Sequence, residues 1–335
     1  MTNLFVGLDI GYSNLKLACR GAGDSIPRDF ILPAGAAPLA DLPHKLSGGV
    51  DDQGVMVVDV DGERWAAGVD QSRLDSARQL HHDYPSTKPY KALFQAALLM
   101  SEADHVDHLV TGLPVSQALD PDCCKALVRR LQGEHRVAKE RSILVGRVTV
   151  LAQPIGAYCR FLDTTDDPES LASSKVLVID PGCYSFDFSV VEDGGLRPAA
   201  SGSSPRAMSA VLETANGLIR DEHGGAPGLP KLERALRQRD ASVMLYGRIV
   251  EIAKYVEAAA AKVAGEALTE LKNAQRMSDR PFDIVLLTGG GAALWREPTQ
   301  AAFPKSRVVM LENSPAANAQ GFLAYAVQSE EAAAI

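Results

Sequence analysis

Two segments of the 335-residue sequence place acidic, small and hydroxyl residues in nearly the same order. LFVGLDIGYSNLK covers residues 4–16, and VLVIDPGCYSFDF covers residues 176–188. In each segment an apolar strand leads into Asp-x-Gly, a tight polar turn and a second apolar strand. Glycine lets a ligand approach the backbone closely, and successive N–H groups in such a turn can bind an anion. The repeated pattern therefore predicts two phosphate-binding hairpins in a duplicated domain.

The first hairpin has side chains that suit nucleotide phosphates. Ser13 and Asn14 can donate hydrogen bonds, and Lys16 can place a point charge on a β- or γ-phosphate. We expect Gly11 to give the turn access to positive φ. This positive charge is too small for a triphosphate, so we also expect a divalent cation. Asp9, at the strand end, suits Mg²⁺, which keeps several of its waters.

The second hairpin repeats these features with a different set of donors. Gly182 offers the same backbone freedom, including positive φ, and Ser185 adds a hydroxyl. Asp180 stands at the strand end as a second candidate for holding Mg²⁺, and Asp187 can join it from the following strand. Pro181 removes one backbone N–H, so we expect this turn to hold phosphate with fewer donors.

A run of three glycines follows a third apolar strand, in the segment Thr288-Gly289-Gly290-Gly291. Such a run can mark the start of a helix or a crossing of two backbones. Its position after both hairpins favours a loop against which a flat base or ribose can lie, because glycine has no side chain to interfere.

The composition is that of an ordinary globular protein, with 46% hydrophobic and 23% charged residues. The formal net charge of −8 argues against direct binding of nucleic acid, which needs clustered Lys and Arg. No apolar run approaches the roughly 20 residues of a membrane span, and the N-terminus has no signal-peptide pattern. We therefore expect a cytoplasmic protein that does not contact membranes. The five scattered cysteines are expected to be free thiols.

The alternation of strand and helical patterns predicts an α/β protein around these motifs. Strand patterns lie at residues 4–10, 14–19, 55–60, 64–69, 107–111, 147–151, 283–288 and 307–311, and in the second hairpin. Helical patterns lie at residues 88–100, 121–131, 154–161, 207–221, 242–277 and 316–327. Residues 163–174 show no periodicity and are predicted to form a surface loop.

Five motifs of the chain, in their order, resemble the nucleotide-binding segments of the actin, Hsp70 and sugar-kinase ATPase superfamily. They are the Asp-x-Gly turns at Asp9 and Asp180, the segment from Gln153 to Ala157, the glycine run from Thr288, and the segment from Glu312 to Gly321. They look like the phosphate-1, phosphate-2, connect-1, adenosine and connect-2 segments, respectively. Within the superfamily the chain is most similar to the bacterial ParM/StbA actin-like proteins that segregate plasmids. Its Ile-Asp-Pro-Gly form of phosphate-2 is similar to a ParM-like branch that includes the PRTRC-system member.

The resemblance implies an α/β fold of two RNase H-like, actin-like domains, each with a mixed five-stranded sheet flanked by helices. It places residues 1–165 and 312–335 in domain I and residues 166–311 in domain II, with the nucleotide in the cleft between the domains. The implied cofactors are ATP or ADP, and Mg²⁺.

The resemblance also implies a role for each motif residue. Gln153 would orient the attacking water, and Asp180 would bind that water or a water of Mg²⁺, which makes these two the catalytic residues. Relatives of the plasmid type often carry Glu where this chain has Gln153, and a hydrogen bond at a helix start is the alternative role for this residue. The implied metal contacts are Asp9, Asp180 and Asp187. The implied nucleotide contacts are Asp9, Gly11, Tyr12, Ser13, Asn14 and Lys16 on one side, Gly182, Cys183, Tyr184 and Ser185 on the other, and Thr288, Gly289, Gly290 and Gly291 at the adenosine.

The implied function is an ATPase that assembles with copies of itself into filaments and serves plasmid or DNA segregation. It would reach DNA only through a DNA-binding adaptor protein. Two alternatives stay open. One is a sugar-type kinase of the same superfamily, although the sequence shows no acceptor-binding signature. The other is a weakly hydrolysing, non-polymerising scaffold that binds ATP.

Overall fold

Two units, each with its own hydrophobic core, make up the chain. Unit 1 comprises Met1–Thr165 and Ala316–Ile335, and unit 2 comprises Asp166–Pro315. This computed structural model describes residues 4–21, 23–43, 50, 54–74, 83–274 and 280–333. The assignment of functional domains to residues 1–165 with 312–335 and to residues 166–311 stays a prediction.

Unit 1 contains two sheets and several helices. Its strands are β1 (Leu4–Ile10), β2 (Asn14–Gly21), β3 (Arg28–Pro33), β4 (Gly35–Pro38), β5 (Met56–Val60), β6 (Glu63–Val69), β7 (His105–Leu113), β8 (Gly133–Ala138) and β9 (Arg141–Ala152). Its α-helices are α1 (Lys88–Met100), α2 (Val115–Ala118), α3 (Pro121–Leu131), α4 (Gln153–Thr164) and, from the end of the chain, α10 (Ala317–Ala333). Short 3-10 helices lie at Leu39–Asp41, Gln71–Arg73 and Tyr84–Ser86.

Unit 2 contains one large sheet, one separate hairpin and the remaining helices. Its strands are β10 (Lys175–Pro181), β11 (Phe186–Glu192), β12 (Gly195–Leu196), β13 (Gly202–Ser204), β14 (Ser242–Leu245), β15 (Arg248–Glu251), β16 (Ile284–Leu287) and β17 (Arg307–Met310). Its α-helices are α5 (Pro168–Ala172), α6 (Met208–His223), α7 (Leu229–Gln238), α8 (Ala253–Ala274) and α9 (Ala292–Ala302). A short 3-10 helix lies at Pro198–Ala200, and another, Ser314–Ala316, spans the point in the chain where unit 2 ends and unit 1 resumes.

The main sheets of the two units share one topology. In unit 1 the order is β3-β2-β1-β7-β9-β8, with β1 antiparallel to β2 and parallel to β7. In unit 2 the order is β12-β11-β10-β16-β17, with β10 antiparallel to β11 and parallel to β16, while β13 also pairs with β11. Every residue of β1 and β10 is buried, as expected for apolar central strands. This mixed α/β architecture confirms the predicted fold class.

Each main sheet has six strands instead of the expected five. In unit 1, β8 pairs with β9 in an antiparallel hairpin and extends the sheet by one strand, and these two strands are joined by only residues 139–140. In unit 2 the short strand β13 pairs with β11 and is the additional strand.

The segment of residues 242–251 is a hairpin, so the helix predicted there was wrong. Val243 pairs with Val250 and Met244 pairs with Ile249, and α8 begins only at Ala253. The apolar residues of this hairpin fit the spacing of a helix as well as that of a strand, so the sequence pattern did not distinguish the two. The predicted end of the helix, at residue 277, lies outside the described residues.

Capping signals place several helix ends. Asp120 accepts a hydrogen bond from the N–H of Asp122 at 2.9 Å and begins α3. Gly224, at φ +72°, ends α6. Residues 163–174 are not wholly a loop, because Asp167 caps the short helix α5 by accepting from the N–H of Ser170 at 3.0 Å.

Of the helices in the described part of the chain, none has both the length and the apolar composition needed to cross a membrane.

Candidate functional site

The first predicted hairpin consists of β1 and β2, joined by residues 11–13. The N–H of Gly11 donates to the carbonyl of Asn14 at 3.0 Å and closes the turn. Gly11 does not have a positive φ, and a Cβ atom there would lie 3.5 Å from its nearest neighbour, the carbonyl oxygen of Asn14. The expected positive φ was therefore wrong, because this turn closes in ordinary backbone conformations.

Asp9 lies at the centre of a polar cluster in unit 1. It is 2% exposed, and it stands opposite Lys16 in the ladder of β1 and β2. Lys16 Nζ donates to Oδ2 of Asp9 at 2.8 Å, and Gln153 Nε2 donates to Oδ1 at 3.0 Å. Gln153 is the first residue of α4, directly after β9. The fold thus brings together three predicted site residues, one of them distant in sequence.

Ser13 and Asn14 complete the first turn. The N–H of Ala34 donates to the carbonyl of Ser13 at 2.9 Å and anchors the turn to the chain after β3. Asn14 Nδ2 lies 3.5 Å from Ser13 Oγ, while Oδ1 of Asn14 is buried and accepts no hydrogen bond from the described residues. An unpaired buried acceptor costs free energy, so this oxygen is a natural partner for water or for a ligand donor.

Tyrosines accompany both turns. The ring of Tyr12 stacks on Tyr84 with centroids 4.2 Å apart, and Tyr84 contacts Tyr90 edge-on at 5.4 Å. Burial raises the pKa of Tyr90 above its ordinary value, with smaller contributions from Tyr84 and Asp9, so Tyr90 stays neutral. In the second turn Cys183 and Tyr184 are half-buried. The stack of Tyr12 on Tyr84 packs the first turn against the segment that precedes α1.

The second predicted hairpin consists of β10 and β11. The N–H of Gly182 donates to the carbonyl of Ser185 at 2.9 Å, and a Cβ atom at residue 182 would lie equally close to that oxygen. Gly182 also lacks the expected positive φ, so its requirement for glycine is steric. The carbonyls of Gly182 and Cys183 accept from the N–H groups of Met208 at 3.0 Å and Ser209 at 2.7 Å. The turn is therefore hydrogen-bonded to the start of α6.

Asp180 and Asp187 stand opposite each other in the ladder of β10 and β11, and they are 7% and 2% exposed. Ser185 Oγ donates to Oδ2 of Asp187, and Ser203 Oγ donates to Oδ1. Like charges at directly opposed ladder positions repel, so this pair favours a nearby cation. Within the described ranges, no three or more His, Cys, Asp or Glu side chains are grouped to hold a metal.

The three glycines of the predicted adenosine loop have different environments. Gly289 has φ +78°, and a Cβ atom there would overlap Oδ1 of Asp180. A Cβ atom at Gly291 would lie 2.7 Å from the Met208 sulfur. Gly290 is exposed, and a Cβ atom there would meet nothing within 4 Å. Packing of the chain thus requires glycine at two of the three positions and leaves Gly290 open to a ligand.

Two residues that hold the site together were not among the predicted site residues. Ser203 hydrogen-bonds to Asp187 from β13, a strand too short to give a sequence pattern. The carbonyl of Ser314 accepts from the N–H of Gly289 at 3.0 Å and from Oγ1 of the buried Thr288 at 3.3 Å. Ser314 belongs to the predicted connect-2 segment, and this was the sequence signal that could have identified it.

The predicted connect-1 and connect-2 segments pack together inside unit 1. A Cβ atom at Gly321 of α10 would overlap the carbonyl of Gly156 in α4, and one at Gly156 would lie 2.5 Å from the carbonyl of Asn318. A Cβ atom at Gly7 of β1 would likewise overlap the carbonyl of Ala319. Glycines allow α10 to lie directly against β1 and α4, and this contact holds Gln153 near Asp9.

Two family models match the sequence. Actin like proteins, N terminal domain, matches residues 7–156, and archaeal actin homologue MreB-like, C-terminal, matches residues 178–299. The chain is an actin homologue. The predicted membership of the actin superfamily is thereby confirmed. No curated protein matches the sequence.

Several solved structures share the fold of this actin homologue. The archaeal actin homologue Ta0583 in complex with ADP has 19% identity and a TM-score of 0.72, with 98% of this chain and 100% of that chain covered. A 15-stranded ParM filament from Clostridium botulinum has 15% identity and a TM-score of 0.70, with 98% and 100% covered. Bacillus thuringiensis ParM with ATP has 14% identity and a TM-score of 0.64, with 99% and 100% covered. The fold is therefore ParM-like, while the assignment to the PRTRC branch stays a prediction.

Proposed function

We propose that this actin homologue binds and hydrolyses Mg-ATP and assembles into filaments. The observation that carries the proposal is the repeated hairpin, which places Asp9 opposite Lys16 and Asp180 opposite Asp187. Proteins of the same fold have been solved with ADP and with ATP, and one as a filament.

In this proposal the first turn binds phosphate oxygens through Lys16, Ser13 and Asn14. The Lys16 side chain is 15% exposed, and its ammonium is paired with Asp9 at 2.8 Å. A phosphate that binds there competes with Asp9 for the same charge, and charge-assisted hydrogen bonds to phosphate are strong. A Cβ atom at residue 11 would lie 3.6 Å from Lys16 Nζ, so glycine keeps side-chain atoms away from this ammonium.

The donor set of the second hairpin fits Mg²⁺. Asp180 and Asp187 supply hard carboxylate oxygens, and Mg²⁺ typically binds one or two carboxylates together with waters and substrate phosphates. Asp9 would contribute through water, since both of its oxygens already accept hydrogen bonds. When bound, the cation neutralises charge on the phosphates.

We assign Gln153 to the attacking water. Its Nε2 donates to Asp9, so Oε1 points away from Asp9 and can accept a hydrogen bond from water. Glutamine cannot remove a proton, but phosphoryl transfer depends chiefly on positioning and electrostatics. Asp180 is the second catalytic residue, because it stands at the strand end beside Gly289. The adenosine would lie against the glycine loop at Gly290.

Self-assembly and indirect contact with DNA complete the proposal. The net charge of −8 disfavours a direct contact with nucleic acid, so a basic DNA-bound adaptor is the expected partner. A role in plasmid or DNA segregation would follow from that pairing.

The catalytic assignment is tested with Asp180→Ala. We expect ATP binding to persist while phosphate release falls about 100-fold or more, because an electrostatic contact to the reacting groups is lost. Asp221→Ala, at an exposed residue of unit 2, is the matched control and should hydrolyse normally. Unchanged turnover in Asp180→Ala would refute the assignment.

Assembly is tested by light scattering and pelleting of wild-type protein over a range of concentrations, with Mg-ATP and with Mg-ADP. A critical concentration that is lower in Mg-ATP supports the filament proposal. Sugar-dependent ADP release without assembly would instead identify a kinase.

A further inference from the structure

Residues 203–209 of unit 2, here named the connecting segment, join β13 to α6 and contact the second hairpin at both of their ends. At the first end, Ser203 Oγ donates to Oδ1 of Asp187. At the other end, the N–H groups of Met208 and Ser209 donate to the carbonyls of the second turn at 3.0 Å and 2.7 Å. The position of the connecting segment therefore affects a proposed Mg²⁺ ligand and a proposed phosphate-binding turn together.

The connecting segment also touches the glycine loop. The Met208 sulfur would lie 2.7 Å from a Cβ atom at Gly291, so the end of the segment packs directly against the loop backbone. Between its two ends the segment makes local hydrogen bonds. The N–H of Ala207 donates to the carbonyl of Pro205 at 2.8 Å, and the N–H of Arg206 donates to Ser204 Oγ at 3.3 Å. These bonds shape the segment but do not attach it to a neighbouring element.

The side chain of Arg206 attaches the middle of the connecting segment to α8. Its Nε donates to Oε1 of Glu270 at 2.8 Å, and its Nη1 donates to Oε2 of Glu266 at 2.6 Å. The two glutamates are four residues apart and therefore lie on one face of α8, where their like charges repel each other. A planar guanidinium can bond to both carboxylates at once, and it neutralises this repulsion.

We infer that Arg206 is a positioning residue for the proposed ATPase reaction. By holding the connecting segment on α8, it keeps Asp187 and the second turn in the geometry that binds Mg²⁺ and phosphate. The inference rests on the proposed function. Arg206 acts through Ser203 and the start of α6, because its own guanidinium is bonded to α8. Exposed ion pairs add little to stability, whereas a small displacement of binding groups can slow a reaction strongly.

The test compares Arg206→Met with Lys254→Met in the full-length protein. Lys254 is the matched control, because its Nζ donates to both carboxylate oxygens of Glu222 at 2.8 Å and 3.1 Å and joins α8 to the far end of α6. For Arg206→Met we expect phosphate release at saturating ATP to fall about tenfold, and the Mg²⁺ concentration for half-maximal turnover to rise about tenfold. Lys254→Met should match wild type in both measurements.

A second variant removes the partners of Arg206 and leaves the connecting segment unchanged. Glu266→Ala combined with Glu270→Ala takes away both carboxylates, and alanine suits exposed positions of a helix. We expect this double variant to reproduce the slower phosphate release and the higher Mg²⁺ requirement of Arg206→Met. A loss of stability alone would not raise the Mg²⁺ requirement of the folded protein.

The outcomes separate this inference from the proposed function. If wild-type protein hydrolyses Mg-ATP and the variants at Arg206 and at its two partners keep the wild-type turnover and Mg²⁺ requirement, the inference fails alone. Equal losses in Arg206→Met and Lys254→Met would also overturn it, because any ion pair of α8 would then have the same effect. If wild-type protein does not hydrolyse Mg-ATP, the ATPase proposal and the inference fail together. Circular dichroism shows which variants are folded, and the double variant decides if Arg206→Met is not.

Discussion

The hairpin of unit 1 and the hairpin of unit 2 place an aspartate and its cross-strand neighbour at equivalent positions, Asp9 opposite Lys16 and Asp180 opposite Asp187. Lys16 neutralises Asp9 within the folded chain. Asp187 instead accepts hydrogen bonds from two serine hydroxyls. The same ladder position thus holds an ion pair in unit 1 and two opposed carboxylates in unit 2. The following substitutions test this difference, beginning with the largest expected effect.

The contact between the second hairpin and the glycine loop is broken most severely by Gly289→Ala. The new Cβ would overlap Oδ1 of Asp180 at a backbone φ of +78°. We expect a loss of about 4 kcal/mol in the free energy of unfolding, from strain and overlap together. Gly290→Ala, where the space is open, should change it by less than about 1 kcal/mol. Urea denaturation followed by circular dichroism measures both, and equal stabilities would contradict the described packing.

The first hairpin should lose stability when its own cation is removed. Lys16→Met leaves the buried Asp9 without its countercharge, so we expect a loss of about 3 kcal/mol in the free energy of unfolding. Lys88→Met removes an exposed cation that lies 3.5 Å from Glu63, and should cost less than about 1 kcal/mol. A similar small loss for both variants in urea would mean that Lys16 does not stabilise the first hairpin.

In the second hairpin the expected effect is on Mg²⁺. Asp187→Asn removes one of two opposed carboxylates, which are the ligands that Mg²⁺ prefers. The variant should therefore lose the effect of Mg²⁺ on ATP binding, measured by calorimetry with Mg²⁺ and with EDTA. An unchanged effect of Mg²⁺ would refute the role proposed for Asp187.

Mild acid should weaken unit 1 slightly. Burial lowers the pKa of His108, helped by the charge of Arg147, and burial also lowers the pKa of His135. Each histidine binds a proton more readily in the unfolded chain, so its contribution is present above about pH 6.5 and is lost as pH falls through that value. Hydrogen exchange at pH 7.0 and 5.5 should show reduced protection of β7 and β9, by about 1 kcal/mol or less. Equal loss in α8 of unit 2 would argue against this cause.

Sequence patterns predicted the motif order and most central strands because those signals are local. Strands such as β1 and β10 are continuous apolar runs that end in Asp-x-Gly, and the caps of α3 and α6 lie within a few residues of the helix ends. The β14–β15 hairpin was mistaken for helix because its apolar spacing fits both periods. Its Tyr246-Gly247 turn was the available sign, although tyrosine is unusual there.

The details of the candidate site depended on contacts between distant parts of the chain. No local pattern pairs Gln153 with Asp9, or Ser203 with Asp187, since tertiary packing brings them together. The positive φ expected at both turns belongs instead to Gly289. The carboxylate of Asp180, which leaves no room for a Cβ atom at Gly289, comes close to the loop only in the folded chain.

Helix α6 connects the second turn with the β14–β15 hairpin. Its first N–H groups, at Met208 and Ser209, bond to the carbonyls of the second turn, and its far end leads into Gly225, which lies against Tyr246. Its 16 residues make a rod of roughly 24 Å. A helix of this length resists compression, so an axial displacement of the turn would travel along it as a translation. Tyr246, more than 20 residues beyond the end of α6, would then move in step with the residues that we expect to hold phosphate.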